Sequence, residues 1–173
     1  MTAEPGNSQD VRELLLDYFE FYRRTVEEKV RGLQPSELYA SQLPSGWTPA
    51  GLVNHLAHME RRWFRWAFLA EQIDDPFGDR EGGVRSGPMV NPDQDIDDLL
   101  AALHAAGADS RAIVRAHALD EWAAPGGRFA DADSVAQLHW IMLHVLQEYA
   151  RHAGHLDIAC ELRAANRGDT GEA

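Results

Sequence analysis

Four stretches of this chain set their apolar residues three and four apart, and no stretch alternates with period two for long enough to form a strand. That pattern restricts the chain to an all-α architecture. The first stretch, about Ser8 to Arg31, aligns Val11, Leu14, Leu15, Tyr18, Tyr22 and Val26, with Ser8 as its expected cap. Leu33 to Trp47 carries Pro35, Pro44 and Gly46 and reads as a connection. A second helix is expected from Thr48, a good cap, through Pro49 in the first turn, to about Gln72, burying Leu52, Leu56, Met59, Trp63, Trp66 and Ala70. The third begins in the acidic stretch Asn91 to Asp98 and continues to about Ala118. The fourth opens near Ser134 and runs through Gln137, Ile141, Val145 and Ile158 to about Arg163. Asp74 to Pro92 is a loop long enough to be functional or mobile, and Pro125, Gly126 and Gly127 break the chain again before the last helix. The tail, Asn166 to Ala173, is expected to fray. The economical solution is one domain over residues 1–173, a four-helix bundle whose long connections permit parallel as well as antiparallel neighbours.

Charge and cysteine content remove several classes of function. Sixteen basic residues face 28 acidic ones, and a net charge of -12 repels a phosphate backbone, so nucleic acid is not the expected partner. No apolar run approaches the length of a membrane span, and the N-terminus lacks the basic-then-apolar order of a secretion signal. A cytoplasmic protein with no membrane partner is expected. With Cys160 as the single cysteine, an internal disulfide and a multi-thiolate metal site are excluded, so any metal takes nitrogen and oxygen ligands. Gly-rich phosphate loops, H-E-x-x-H and G-x-S-x-G are absent, and the Glu-x-x-His spacing of di-iron bundles is missing too.

The chemistry gathers on the last helix. At about 100° per residue, His144 lies at about -40°, His155 at about -20° and His152 at about +40° from Glu148, all on one face. Ile141 near +20°, Leu162 near -40° and Val145 near +60° place this polar group inside the apolar stripe. Such groups need partners once buried, because each costs several kcal/mol without one. On the second helix His55 sits at the edge of the buried stripe and His58 about 60° further away, so His55 is the inward imidazole. Glu148 and His152, one turn apart, with His55 from another helix, describe three sides of a tetrahedral or octahedral metal site with open positions. The same three side chains also make a hydrogen-bonded structural network, and the residues alone leave both readings standing. His104, His117 and His139 read as surface or edge residues, Cys160 as core filler, and the tryptophans as core and end packing. Arg61, Arg62, Arg65 and Arg151 either steer an anionic substrate or form a solvated face.

The segment WTPAGLVNHLAHMERRWF (Trp47 to Phe64) followed by HVLQEYARHAGHLDI (His144 to Ile158) resembles the DinB-like superfamily over nearly the whole chain. The resemblance implies an up-down-down-up four-helix bundle with a divalent metal, often zinc, held by His55 of the second helix and by Glu148 and His152 of the last. Where most relatives have His-x-x-x-His, Glu148-x-x-x-His152 is similar to the variant in mycothiol-dependent maleylpyruvate isomerase. His155, and with it His144, is then a residue that supports a ligand. The implied chemistry is a low-molecular-weight thiol, mycothiol or another, activated by the metal to attack a small electrophile. The chain ends soon after the last helix, without the further domain of the isomerase, so simple S-transfer is the expected reaction. Nickel, iron and manganese accept the same donors as zinc. A homodimer is expected, as relatives commonly form one. The competing expectations are a non-catalytic metal-binding or stress-response protein and an apo interaction module.

Overall fold

The computed structural model describes residues 3–42, 44–80 and 89–168. They form helices α1 (Val11–Arg31), α2 (Pro35–Leu38), α3 (Pro49–Glu60), a π-helical continuation of α3 (Arg61–Phe68), α4 (Ile96–Ala116) and α5 (Leu138–Arg167). Among the described residues the sole β feature is an isolated bridge between Trp122 and Gln137, so the all-α expectation holds. No helix among them is long and apolar enough to cross a membrane.

The ends of the helices depart from the sequence pattern for local reasons. Asp10, not Ser8, caps α1, because its carboxylate accepts from the backbone N–H groups of Arg12 and Glu13. Val11 is therefore exposed, and the buried face of α1 turns to Leu15, Leu16, Phe19, Arg23, Val26 and Val30. Thr48 caps α3 as expected, accepting from the Gly51 N–H at 3.0 Å. The helix then widens to π geometry at Arg61 and stops at Phe68 rather than Gln72, with Ala70 at φ 55°. That change of register buries Phe64, Ala67 and Phe68 and leaves Trp66 and Ala70 half-buried. Helix α5 starts at Leu138 rather than Ser134, since the N–H groups of Leu138 and His139 are claimed by the Glu121 and Leu119 carbonyls. It continues past Arg163 to Gly168, whose φ of 75° ends it. The expected connection Leu33 to Trp47 contains the short α2. Residues 81–88 of the expected long loop and 169–173 of the expected tail lie outside the described residues.

Helices α1, α3, α4 and α5 share one core, centred on Phe19, Leu52, Leu56, Phe64, Leu99, Leu103, Ile141 and Tyr149. Within it lies a charged network: Arg23 donates to both oxygens of Glu60 at 2.7 and 3.1 Å, and the Tyr149 hydroxyl donates to the same carboxylate. Burial opposes the Arg23 charge, but Glu60 more than offsets it, so the guanidinium stays protonated. Burial and then Glu60 push the Tyr149 phenol well up, keeping it a donor. The pair explains Gly107 in the middle of α4: a Cβ there would lie 2.4 Å from Arg23 Nε.

The buried face of α5 is centred on Val145, Tyr149 and Leu156, about 60° to 100° around the helix from Glu148. Leu162, read from the sequence as part of the stripe, is exposed, and so is Ile158. Glu148 and His144 thus stand at the edge of the apolar face, not within it, and this opens one side of the polar group to solvent.

Candidate metal centre

His55 from α3 and Glu148 and His152 from α5 each offer one ligand atom, and these atoms lie within 4.8 Å of one another. Glu148 Oε2 is the hub, 3.3 Å from His152 Nε2 and 3.6 Å from His55 Nε2. The His55 and His152 rings meet edge to face with centroids 4.8 Å apart. His152 first and His55 second hold the Glu148 carboxyl well below the usual carboxylate range, against the effect of burial. Burial keeps His152 itself below the ordinary imidazole value, so it is uncharged at neutral pH.

The tautomer of His55 follows from its other nitrogen. Nδ1 lies 2.6 Å from Asp79 Oδ2, and Asp79 is fully buried. Burial works against ionisation of Asp79, but the His55 hydrogen bond and the Arg62 charge outweigh it and hold the carboxyl well below its ordinary range. An ionised carboxylate only accepts, so Nδ1 carries the proton and Nε2 presents a lone pair. That Nε2 is buried and has no hydrogen-bond partner among the described residues, since 3.6 Å to a carboxylate is beyond bonding distance. A buried imidazole Nε2 without a hydrogen-bond partner, facing a carboxylate and a second imidazole, gives the donor set a borderline divalent cation takes. The residues fit a metal.

Asp79 is in turn held by Arg62, which reaches both its Oδ1 and the Pro76 carbonyl. Sequence reasoning missed Asp79, because it lies in the loop after the π segment, where no periodicity assigns a direction. Arg62, read as a steering or solvated residue, is buried and serves this carboxylate instead.

The flanking histidines stand beside the triad. His155 Nδ1 is 3.3 Å from His152 Nδ1, and its ring stacks on Trp47. His144 Nε2 is 4.0 Å from Glu148 Oε1, with its ring between Trp63 and Trp140. His58 is half-buried near Gly78, away from the triad. Glu27, Glu121 and the Leu119 carbonyl occupy His104, His117 and His139 respectively, away from the site. Arg61 donates to the Asp74 carbonyl and Arg65 to Glu71. Cys160 is eight residues beyond His152, about 12 Å along the helix, and burial pushes its thiol up, so it supplies neither a ligand nor a ready thiolate. An opening of about 110 Å³ adjoins His55, Glu148 and His144, walled by Trp63, Phe77 and arginines.

No curated protein matches the chain. A family model described as mycothiol-S-transferase matches residues 14–165, a span that contains the whole triad, Asp79 and both flanking histidines. The chain belongs to this DinB-like family of mycothiol-S-transferases.

Proposed function

We propose that the protein is a divalent-metal-dependent thiol S-transferase, with His55, Glu148 and His152 as ligands and zinc as the ion. The observation that carries this is the His55 tautomer: Asp79 holds the proton on Nδ1 and leaves a buried Nε2 lone pair aimed at Glu148 and His152. The family description supports mycothiol as the thiol. An ion held there is a Lewis acid that lets a thiol ionise at neutral pH. The chain's own residues fix the geometry. Asp79 orients His55, His155 orients His152, and Trp63 with His144 forms the apolar and aromatic wall that admits the acceptor and limits water. The thiol gives its proton to solvent, the new S–C bond forms, and the leaving group departs with its electron pair. Cys160 takes no part.

For the scaffold we infer a single domain, a four-helix bundle running up-down-down-up. Its support lies in the ion pairs. Glu13 with Arg115 and Arg31 with Asp97 join opposite ends of α1 and α4, while Lys29 with Asp157 and Tyr22 stacked on Tyr149 join α1 and α5 in the same sense. The protein works in the cytoplasm on a small molecule, with neither nucleic acid nor membrane as partner, and as a homodimer. Trp122, Trp140, Leu143 and Ile158 are among the exposed apolar residues, and they support self-association. Sedimentation that finds only monomer at high concentration removes the dimer.

The test has two arms. Untagged protein should carry about one zinc per chain, and His55→Ala and His152→Ala should lose it; full metal content in both variants removes these ligands. Mycothiol and a benzylic chloride should then give a thioether, with chloride released, faster with zinc-loaded than with metal-stripped protein. Equal rates leave a metal-binding protein without this catalysis.

A further inference from the structure

The mouth of the site carries a charge that the triad does not use. Arg128 belongs to the break Pro125-Gly126-Gly127 before α5, and that break is built to close tolerances. The Ala124 N–H donates to the Phe68 carbonyl at 2.8 Å, the Gly126 N–H to Phe129, and the Arg128 N–H to Trp66. Gly126 sits at φ 106°, and a Cβ on Gly127 would fall 1.9 Å from the Trp66 carbonyl oxygen, so only glycine lets the loop lie on the π segment. The result is a fixed Arg128 whose guanidinium lies 4.5 Å over the Trp63 ring, on the wall of the opening beside His55 and Glu148.

Among the described residues no carboxylate pairs with Arg128, whereas Arg62 is committed to Asp79, and Arg80, on the same wall, lies 3.5 Å from that carboxylate. Burial and then the charges of Arg62 and Arg80 push Arg128 down. In a chain with net charge -12, three guanidiniums meet at an opening that borders the triad. Arg62 comes from the π-helical segment and is spent on Asp79. Two loops, one carrying Arg80 and the other Arg128, deliver the charge to the same place.

We propose that Arg128, supported by Arg80, is an anion subsite, and that the transferase acts on small electrophiles bearing a carboxylate. The assignment rests on the S-transfer reading for the word electrophile, but not for the anion. Guanidinium offers a planar fork to a carboxylate, and the Trp63 face beneath it holds that fork on the wall of the opening that His55 and Glu148 also line.

The experiment compares 4-(chloromethyl)benzoate with its methyl ester as acceptors for mycothiol, and 4-methylbenzoate with its methyl ester as unreactive probes in calorimetry, on zinc-loaded wild type, Arg128→Gln and Arg128→Lys. The ratio of kcat/KM for acid over ester should fall about tenfold or more in Arg128→Gln, with partial recovery in Arg128→Lys. Binding of 4-methylbenzoate should weaken by a similar factor, and because zinc is present in all three proteins, that loss reports the guanidinium rather than the ion. Turnover with an acid-to-ester ratio near one that Arg128→Gln leaves unmoved overturns the subsite and spares the S-transfer reading. Absence of turnover with either acceptor overturns that reading, while the calorimetry still decides the subsite: equal binding by wild type and Arg128→Gln removes it. Should Arg128→Gln fail to fold, Arg128→Lys against wild type carries the comparison.

Discussion

Asp79→Asn separates the orientation of His55 from the mere presence of an imidazole. Asparagine has the same shape, so no cavity opens, but its amide offers one acceptor where the carboxylate offers two. Its oxygen can take the His55 Nδ1 proton or the Arg62 bond, not both, and the NH2 group then faces a donor. Arg62 is buried and keeps only the Pro76 carbonyl, at 3.1 Å, and breaking a buried pair of this kind costs about 3 kcal/mol. Losing the partner that fixes a ligand's tautomer costs about 10- to 100-fold in metal affinity, or about 1.4 to 2.8 kcal/mol. The two effects are read apart: thermal or denaturant unfolding of metal-free protein gives the first, and zinc competition against a chromophoric chelator gives the second. A variant that is less stable yet binds zinc within twofold of wild type refutes the orientation argument and leaves Asp79 as a counter-ion for Arg62. The pH dependence has a definite sign. Asp79 is depressed below its ordinary value of 3.8, so its contribution is complete above that value and is lost only as the pH falls toward the folded one. The stability gap between wild type and Asp79→Asn should therefore stay level from about pH 8 to about pH 5 and narrow below about pH 4. A gap that closes between pH 7 and 6 would place the titration on a histidine instead.

Two further outcomes follow from the core and the thiol. Gly107→Ala puts a methyl group 2.4 Å from Arg23 Nε, displacing a guanidinium whose two bonds to Glu60 fix it, and should cost about 1 to 3 kcal/mol by denaturant unfolding even though alanine is the better helix former. Stabilisation by this substitution would show that Arg23 yields freely. Burial raises the Cys160 thiol, so the thiolate is scarce near neutrality; alkylation by iodoacetamide at pH 7.5 should run slower than for a free thiol of ordinary pKa and speed up as the pH rises, and Cys160→Ser should keep S-transfer. Fast alkylation at pH 7 would contradict the burial argument.

The helices and the triad were legible in the sequence because both obey a period. His55, Glu148 and His152 were chosen by angle around a helix, and the structure brings their ligand atoms within 4.8 Å. The same reasoning placed the centre of the α5 stripe wrongly. Ile141, Val145 and Leu162 enclose the polar group by angle, yet Leu162 is exposed and the core turns toward Tyr149, whose hydroxyl meets the Glu60 carboxylate. Helix ends moved for a similar reason, as Asp10 outbid Ser8 for two N–H groups and a change to π register absorbed the expected last turn of the second helix. What no period encodes is the direction of a loop side chain. Asp79 and Arg128 both lie in breaks that the sequence marks by Gly and Pro, and their roles appear only once the helices have placed His55 and Trp63 for them to meet.

This division of labour between helices and loops has a chemical consequence. The triad sits on α3 and α5, elements tied through Glu60, Arg23 and Tyr149 into the most buried part of the molecule, so the ligand atoms have little freedom to move apart. The groups that face an incoming molecule, Arg80, Arg128 and Phe77, come from the two irregular connections. Changes in those connections alter the charge and shape of the opening without moving a ligand atom, whereas a change at Glu60 or Gly107 reaches the triad through the core while touching nothing that a substrate contacts. Variation in acceptor should thus track the loops, and variation in metal affinity the buried network and Asp79, which alone belongs to both by sitting in a loop and holding His55.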